Sequence, residues 1–354
     1  MKHDRIRKLV VLAIAIAFQV GCTTPSTRTP DLDAQTVDEE TRKQLEVMFE
    51  TGLAYHDRTI KVAYPLLKAA VPLCSTDTAY TLGIDPVNKY TLSKSMRPIL
   101  EASYGIGEQL VILSIPPGSP ADKAGLRKGD EILALGGQQP STGHKANEAW
   151  RELEVQVLAA GEPVTLSIIR DAEQVEITLV PDQICNYMVY ENFSSDVNAY
   201  ASGEAVMLTA GMLRFVNNDE ELAMVLAHEI AHNVMEHMSA RQSNHTAGSV
   251  LDIVAAVAGV NTGGAFGAVG AASYSKSFES EADYVGLYIM AMAGMPIDDA
   301  PVLWRRMAAT QTTSGGFLAS HPTTSERYVA LDRTIDEIHA KQEKKELLRP
   351  NIKN

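Results

Sequence analysis

Hydrophobic and polar positions follow two different patterns along this chain. From Val37 to Leu73, apolar residues recur every three to four positions among polar ones, which predicts helix. Pro65 and Pro72 interrupt that pattern, so we expect more than one helix or a kink there. Between residues 103 and 182, short apolar runs separated by turns rich in Pro and Gly predict strands instead.

The β-rich stretch contains a regular succession of elements. Strands are predicted at 109–115, 131–135, 164–169 and 175–180, and helices at 121–124 and 146–159. Further on, alternation at 205–208 predicts another strand, and Asn218 or Asp219 is placed to cap a long helix. Predicted helices and strands occur together along the chain, and we expect a fold of the α+β class.

Composition is typical of an ordinary globular protein and disfavours one class of partner. It has 354 residues, of which 45% are hydrophobic and 21% are charged, enough for two domains with sizeable cores. The formal net charge of −13 argues against a nucleic-acid partner, because such proteins need a basic footprint.

The N-terminus resembles a bacterial lipoprotein signal. A basic start precedes the short apolar run from Leu9 to Val20, which ends in a lipobox-like sequence before Cys22. The resemblance implies that residues 1–21 are removed and Cys22 is acylated, with residues 22–40 as a polar tether. Because Thr23 rather than aspartate follows, it also implies an outer-membrane lipoprotein facing the periplasm. An ordinary secretory signal with an incidental cysteine is the alternative.

The predicted long helix carries the sequence HEIAH at residues 228–232. Helical spacing places His228 and His232 on one face, where both can bind one cation, and Glu229 lies about 100° round the helix. A water activated by zinc and deprotonated by Glu229 would attack a peptide carbonyl. The alternative is a helix that merely carries polar residues, so a third ligand decides between the two interpretations.

The sequence FESEADYVG supplies the candidate third ligand. Glu279 and Asp283 are four residues apart and face the same way on a helix. Glu279 can therefore ligate zinc, while Asp283 accepts a hydrogen bond from the second nitrogen of a ligand histidine. Glu281 would point elsewhere, and His237, on the far face of the first helix, is interpreted as structural. A charged helix face is the alternative for this acidic cluster.

Five motifs occur in an order that is typical of one protease family. They are Asn198-Ala199-Tyr200-Ala201, Glu221-Leu222-Ala223, HEIAH at 228–232, Glu279-Ser280-Glu281-Ala282-Asp283 and Ser320-His321-Pro322. In this order they resemble the membrane-linked zinc endopeptidases typified by HtpX, BepA and the Oma-type proteases. The resemblance implies a mostly helical zincin-like domain with a small sheet at 183–354, and a helical part of the same body at 41–87. It also implies one Zn²⁺ per chain, bound by His228, His232 and Glu279.

The same resemblance implies further functional elements. The strand at Ala205–Thr209 would be the edge strand of the small sheet and would align the substrate. His321 and Arg327 would lie near the metal, where they stabilise the oxyanion or close a loop over the zinc. The alternative is that Ser320-His321-Pro322 only ends a loop and that Arg327 pairs with a surface carboxylate.

The inserted β-rich segment, residues 88–182, carries the sequence GSPADKAGLRKGD and resembles a PDZ domain of the kind associated with bacterial proteases. The resemblance implies a loop around Tyr104, Gly105 and Ile106 whose backbone N–H groups receive a peptide C-terminus. A strand edge beside that loop would add the peptide as a further strand. A PDZ fold used only for spacing or regulation is the alternative.

Two cysteines remain beyond the N-terminal signal. Cys74 and Cys185 bracket the PDZ-like segment, and no Cys-x-x-Cys motif occurs. We expect these two residues to form a disulfide, because two cysteines left over in an oxidising compartment more often pair than stay free.

One other stretch, residues 250–274, is strongly apolar. Asp252, Asn261 and several glycines interrupt it. We therefore expect a buried or membrane-apposed helical hairpin rather than a membrane span.

These observations favour a zinc endopeptidase of the cell envelope that cuts unfolded or misassembled proteins, with the PDZ-like segment recruiting chain ends. The alternative is a periplasmic chaperone or assembly factor that contains a PDZ domain and a latched or dormant zinc site. The sequence pattern is compatible with both, because intact ligands do not exclude a closed site.

Overall fold

The computed structural model describes residues 27, 30–74, 77–240, 242–243, 246, 265–310, 317–322 and 324–352. Cys22 and residues 250–264, for which the sequence predicted acylation and part of a hairpin, lie outside the described residues. The chain divides into two compact units, residues 1–44 and 45–354, and the second contains every candidate site residue except Cys22.

The described helices and strands are intermixed along the chain. The helices are α1 (Ala34–Ala69), α2 (Arg97–Tyr104), α3 (Pro120–Lys123), α4 (Ala146–Leu158), α5 (Ala210–Phe215), α6 (Asp219–Val234), α7 (Ala265–Met292), α8 (Ala300–Thr310), α9 (Phe317–Ser320) and α10 (Ser325–Glu343). The strands are β1 (Thr78–Thr81), β2 (Asp85–Val87), β3 (Val111–Ser114), β4 (Glu131–Leu135), β5 (Val164–Arg170), β6 (Glu173–Leu179), β7 (Asp182–Cys185), β8 (Met188–Asn192), β9 (Ala199–Ala201) and β10 (Ala205–Thr209). The fold is α+β, as the sequence predicted.

Helix α1 continues through the first of the two prolines that interrupt its pattern. Pro65 lies inside the helix, and the chain leaves the helical conformation only near Pro72, in a short 3-10 turn. Leu66 and Leu67, directly after Pro65, are buried in the main core. Their tertiary packing offsets the hydrogen bond that proline removes.

The PDZ-like segment is built on a five-stranded antiparallel sheet in the order β2-β3-β4-β5-β6. Helix α4 covers the sheet, with Trp150 and Leu158 buried against Leu166 and Ile168 of β5. The sheet begins at β2, before the expected start at residue 88, because a three-residue strand containing proline has no alternation that a sequence pattern could reveal.

A second sheet has three strands in the order β8-β10-β9. Strand β10 pairs in parallel with β8 and antiparallel with β9, so it is the central strand. The expectation that Ala205–Thr209 is an edge strand is therefore wrong. Alternation identifies a strand but not its neighbours, and the burial of four of its five residues reflects the central position.

A disulfide and a small ladder join the two ends of the PDZ-like segment. Cys74 and Cys185 are bonded, with their Cα atoms 5.9 Å apart. Strands β1 and β7 pair antiparallel beside this bond, with Thr78 opposite Cys185. The two ends of the inserted segment thus meet the rest of the chain at one place.

Helices α6 and α7 pack closely in the main hydrophobic core. A Cβ atom at Gly286 of α7 would lie 3.2 Å from backbone atoms of Ala227 and His228. Glycine therefore permits this approach, and Ala282, one turn earlier, is fully buried as well. None of the described helices is long and apolar enough to cross a membrane.

Candidate metal centre

Helix α6 carries the first two candidate ligands. The side chain of Asn218 caps the helix and accepts a hydrogen bond from the N–H of Glu221 at 2.8 Å. His228 and His232 then lie one turn apart in the buried part of the helix, and their Nε2 atoms are 3.1 Å apart. The spacing of the histidines therefore brings two nitrogen ligands to one point.

Helix α7 brings the third candidate ligand to the same point. Glu279 Oε2 lies 3.4 Å from His228 Nε2, and Glu279 Oε1 lies 3.4 Å from His232 Nε2. Glu279 itself is buried. The structure thus brings together the three residues that the sequence indicated as ligands.

His321 supplies a fourth candidate ligand and completes the cluster. Its Nδ1 atom is 3.3 Å from His228 Nε2 and 2.9 Å from Glu279 Oε2. The imidazole stacks on Phe317 at a centroid distance of 4.1 Å, and Phe317 stacks in turn on Trp304. Ligand atoms of the four residues lie within 4.8 Å of one another.

The geometry of this cluster fits a zinc ion. Zinc–nitrogen distances of ~2.0–2.1 Å in a tetrahedral site put neighbouring ligand atoms about 3.3 Å apart. The separations between the ligand atoms of His228, His232 and Glu279 are 3.1 to 3.4 Å. Two imidazoles and a carboxylate, with a further imidazole from His321, also form a donor set that zinc prefers.

Glu229 has no partner of its own beside this cluster. Its side chain is fully buried, and neither carboxylate oxygen has a hydrogen-bond partner among the described residues. His321 Nε2 of the cluster lies 3.5 Å from its Oε1 atom. A buried carboxylate without a hydrogen bond is costly, so its position indicates a site that accommodates a water and a cation.

Asp283 supports His228 as the sequence predicted. Asp283 Oδ1 is 3.0 Å from His228 Nδ1, on the opposite side of the ring from the cluster. Arg327 donates from Nε to Asp283 Oδ2 at 2.7 Å and from Nη2 to Oδ1 at 2.9 Å. The carboxylate thus has a cation on one side and a candidate metal ligand on the other.

Arg327 was expected to donate to an oxyanion, but in the structure it donates to Asp283. Besides its two bonds to Asp283, it donates from Nη1 to the carbonyl of Pro322 at 2.9 Å, and Nη1 is 3.4 Å from Glu279 Oε2. It is also buried, so it does not pair with a surface carboxylate. Its contacts are those of a residue that positions Asp283 and Glu279.

Electrostatic effects at the cluster oppose one another. Burial raises the pKa of the Glu279 carboxyl, but hydrogen bonds from the three histidines outweigh it and hold that pKa below its usual range. Burial likewise raises the pKa of Asp283, and the charge of Arg327 brings it below the usual value. Burial lowers the pKa of His228, yet hydrogen bonds to Asp283 and Glu279 raise it to about 9.

His237 is a residue of this site that the sequence interpretation missed. Helix α6 ends at Val234, and Glu236 adopts a left-handed conformation with φ of 53°. The chain therefore turns back, and His237 Nδ1 lies 3.0 Å from His232 Nδ1. Helical extrapolation placed His237 on the far face because nothing in the sequence marks a left-handed residue at a glutamate.

The loop predicted to receive a peptide C-terminus does not have that geometry. Tyr104 is the last residue of α2, and the N–H groups of Gly105 and Ile106 both donate to the carbonyl of Leu100. Those N–H groups cap a helix, so they are not available to a carboxylate. The neighbouring strand Val111–Ser114 is also interior, between β2 and β4.

The chain matches two known sequence families. Residues 170–335 match peptidase family M48, and residues 81–180 match the PDZ domain. The first match contains the whole candidate metal cluster, and the second contains the five-stranded sheet.

Individual relatives share parts of the chain. It is 31% identical over 151 residues to the mitochondrial metalloendopeptidase OMA1 of Schizosaccharomyces pombe, an alignment covering 40% of this chain and 44% of the relative. It is 28% identical over 130 residues to the β-barrel assembly-enhancing protease of Yersinia pestis, covering 32% and 27% respectively. The solved HtrA3 PDZ domain bound to a phage-derived ligand matches 30% of this chain and 89% of that domain, at 20% identity and a TM-score of 0.24. The chain thus spans less than half the length of these two curated relatives.

Proposed function

We propose that this protein is a zinc-dependent endopeptidase. The observation that carries the proposal is Glu229, a fully buried carboxylate without a hydrogen-bond partner among the described residues, beside a cluster of zinc-type ligands. The match of residues 170–335 to a peptidase family supports the same conclusion.

Each residue of the site has a distinct role in the proposed mechanism. His228, His232 and Glu279 would bind zinc, which supplies a Lewis acid and makes a water nucleophilic near neutral pH. Glu229 would accept the proton of the attacking water and pass it to the leaving amine. Asp283 would hold the His228 ring by accepting a hydrogen bond from Nδ1.

The second sheet supplies a surface for an extended substrate. Strand β9 lies at its edge, and Asn233 of α6 ties the β9–β10 turn to the metal helix, donating to the Ala205 carbonyl at 3.0 Å. Tyr190 and Tyr200 both pair in register with Met207, so one face of the sheet carries an apolar row with both tyrosines exposed. We propose that unfolded or misassembled polypeptides add to β9, since only an extended chain can pair with an edge.

We further propose that the protein acts in the cell envelope, as an outer-membrane lipoprotein facing the periplasm. The lipobox-like sequence before Cys22 and the disulfide between Cys74 and Cys185 support this location, because disulfides persist in oxidising compartments. Mass spectrometry of protein purified from membranes tests it: an unmodified Cys22 in the mature chain would contradict the anchor.

A latched form of the same site is the second candidate, and His321 favours it. Its Nδ1 atom lies among the ligand atoms, where it would take the position that a water needs. The protein would then rest as a closed zinc protein and open when the His321 segment withdraws. His321→Ala should retain zinc and gain activity if the site is latched, whereas loss of activity would indicate a role in the reaction.

The PDZ domain would bind peptide at β2 rather than at the loop around Gly105. Strand β2 is the edge strand next to α4, and Asn147 of α4 donates to the carbonyl of Pro86 at 2.9 Å. A peptide strand added to β2 must displace Asn147 from the Pro86 carbonyl. It also lacks one backbone hydrogen bond, because Pro86 has no N–H to donate. Asn147→Ala should therefore strengthen binding of C-terminal peptides, measured by fluorescence anisotropy. Unchanged weak binding would favour a spacing role.

One experiment tests the enzymatic proposal directly. Residues 23–354 are purified, zinc is measured per chain, and cleavage of an unfolded protein such as casein is followed with and without a chelator. Glu229→Gln is the matched variant: it should keep one zinc per chain and lose hydrolysis, because it removes the base and not a ligand. Cleavage by this variant at the wild-type rate would contradict the mechanism.

A further inference from the structure

His237, which is buried, and Glu281, at the surface, form a connection to the outer side of His232. His237 Nδ1 is 3.0 Å from His232 Nδ1, and His237 Nε2 is 3.0 Å from Glu281 Oε2. The His237 ring is 3% exposed and stacks on Phe278 at a centroid distance of 4.6 Å. His232, His237, Phe278 and Glu281 all lie in the second compact unit, residues 45–354.

The two hydrogen bonds permit a single arrangement of protons when His232 binds a metal. A ligating Nε2 must be unprotonated, so the proton of neutral His232 is on Nδ1 and is donated to His237 Nδ1. His237 must then accept at Nδ1 and carry its own proton on Nε2, which donates to Glu281. The carboxylate of Glu281 can only accept, so the chain of bonds runs from His232 to His237 to Glu281.

This connection depends on two local features of the fold. The left-handed turn at Glu236 reverses the chain after α6 and brings His237 back to His232. On α7, Phe278 supports the His237 ring from one face, while Glu281 reaches Nε2. Phe278 and Glu281, which flank the candidate ligand Glu279 on α7, thus position His237, and His237 contacts the ligand His232 on α6.

We infer that His237 and Glu281 position His232 for metal binding, by fixing its tautomer and the orientation of its ring. This inference rests on the proposed zinc site. His237 itself touches neither the ligand atoms nor the reacting water in this arrangement, so both residues are positioning residues. Supporting hydrogen bonds of this kind typically contribute ~10–100-fold to metal affinity or activity.

Graded variants separate positioning from simple packing. Glu281→Gln keeps an oxygen acceptor without charge, and Glu281→Ala removes the acceptor at a position that is 45% exposed. His237→Phe keeps a ring to stack on Phe278 but removes both nitrogens. The pair formed by His339 and Asp298 is the matched control, since it is an exposed histidine–carboxylate contact of 3.4 Å on other helices and loops.

The readout is the zinc dissociation constant of the full chain, measured by competition with a chromophoric chelator. Glu281→Ala and His237→Phe should each weaken binding by ~10–100-fold, with Glu281→Gln intermediate and Asp298→Asn unchanged. The visible spectrum of the Co²⁺-substituted protein should change in the first two variants only. Thermal unfolding of the metal-free proteins checks that each variant folds.

A double-mutant cycle decides whether the two residues act through one connection. If they do, adding Glu281→Ala to His237→Phe should cause no further loss of zinc affinity. Additive losses, or zinc affinities in the single variants equal to the wild type, would overturn the inference while leaving the proposed enzyme intact. Absence of zinc binding by the wild-type chain would instead remove the proposed function.

Discussion

His228 and His232 of the candidate metal centre are supported in different ways. His228 is held by Asp283, which is buried and receives two hydrogen bonds from the buried Arg327. His232 is held by another histidine, His237, whose partner Glu281 is half exposed to solvent. One support is a buried ion pair between helices, and the other ends at the surface.

Because of this difference, one support should affect both the stability of the fold and the metal affinity, and the other the metal affinity alone. Removing one member of a buried ion pair leaves an uncompensated charge in the core, so the His228 support contributes to stability as well as to the metal site. A change at the surface end of the His232 support alters a hydrogen bond but buries no unpaired charge. We therefore expect variants of the two supports to differ in which property they change, stability or metal affinity, as well as in the size of the effect.

The largest effect is expected for Arg327→Ala. It removes the guanidinium that donates two hydrogen bonds to the buried Asp283 carboxylate, so the free energy of unfolding should fall by about 3–5 kcal/mol. Chemical denaturation of the metal-free chain measures this, and Arg305→Ala, in an exposed ion pair with Asp332, is the control. Full stability with reduced turnover would contradict the positioning role and restore the oxyanion role expected from the family resemblance.

A smaller effect is expected for Asp283→Asn. The amide oxygen can still accept the hydrogen bond from His228 Nδ1, but the negative charge that increases the basicity of the imidazole is gone. Zinc affinity should therefore fall by ~10–100-fold, about 1.4–2.7 kcal/mol. Equilibrium dialysis against a zinc buffer measures this change. An unchanged dissociation constant would mean that His228 does not depend on its carboxylate and that the two supports are equivalent.

The candidate ligands could be predicted from the sequence because their geometry is local. Residues four apart on a helix share a face whatever the helix packs against, so the directions of His228 and His232, and of Glu279 and Asp283, followed from spacing alone. Strand β4 and helix α4 were located from their periodicity for the same reason.

The remaining features depend on contacts that are distant in sequence. Pairing partners decide that β10 is central and β9 is the edge, and no pattern within either strand records them. The SYGI sequence resembles a binding loop, yet its N–H groups end a helix at Gly105. Arg327 lies in the first turn of α10, which begins at Ser325, and its contact with Asp283 joins positions 44 residues apart in the sequence.

The two supports also predict different proton behaviour when the metal binds. Burial lowers the pKa of His228, but its hydrogen bonds to Asp283 and Glu279 raise it to about 9, so His228 is protonated at pH 7 in the metal-free protein. Burial lowers the pKa of His232, so that ring is already neutral. Because the folded pKa of His228 exceeds the unfolded value of 6.5, its stabilising contribution is complete below about pH 6.5 and is lost as the pH rises through 9.

Zinc binds neutral imidazole. His228, which is protonated at pH 7, must therefore release one proton on binding, whereas His232 is already neutral and releases none. Zinc uptake at pH 7 should therefore release about one proton, and affinity should rise about tenfold per pH unit below 9, or about 1.4 kcal/mol. Calorimetry in buffers of different ionisation enthalpy measures the number directly. Asp283→Asn should reduce it towards zero, because that variant removes the charge that keeps His228 protonated. Release of two protons from the wild type would show that both rings are charged before binding, and the two supports would then not differ electrostatically.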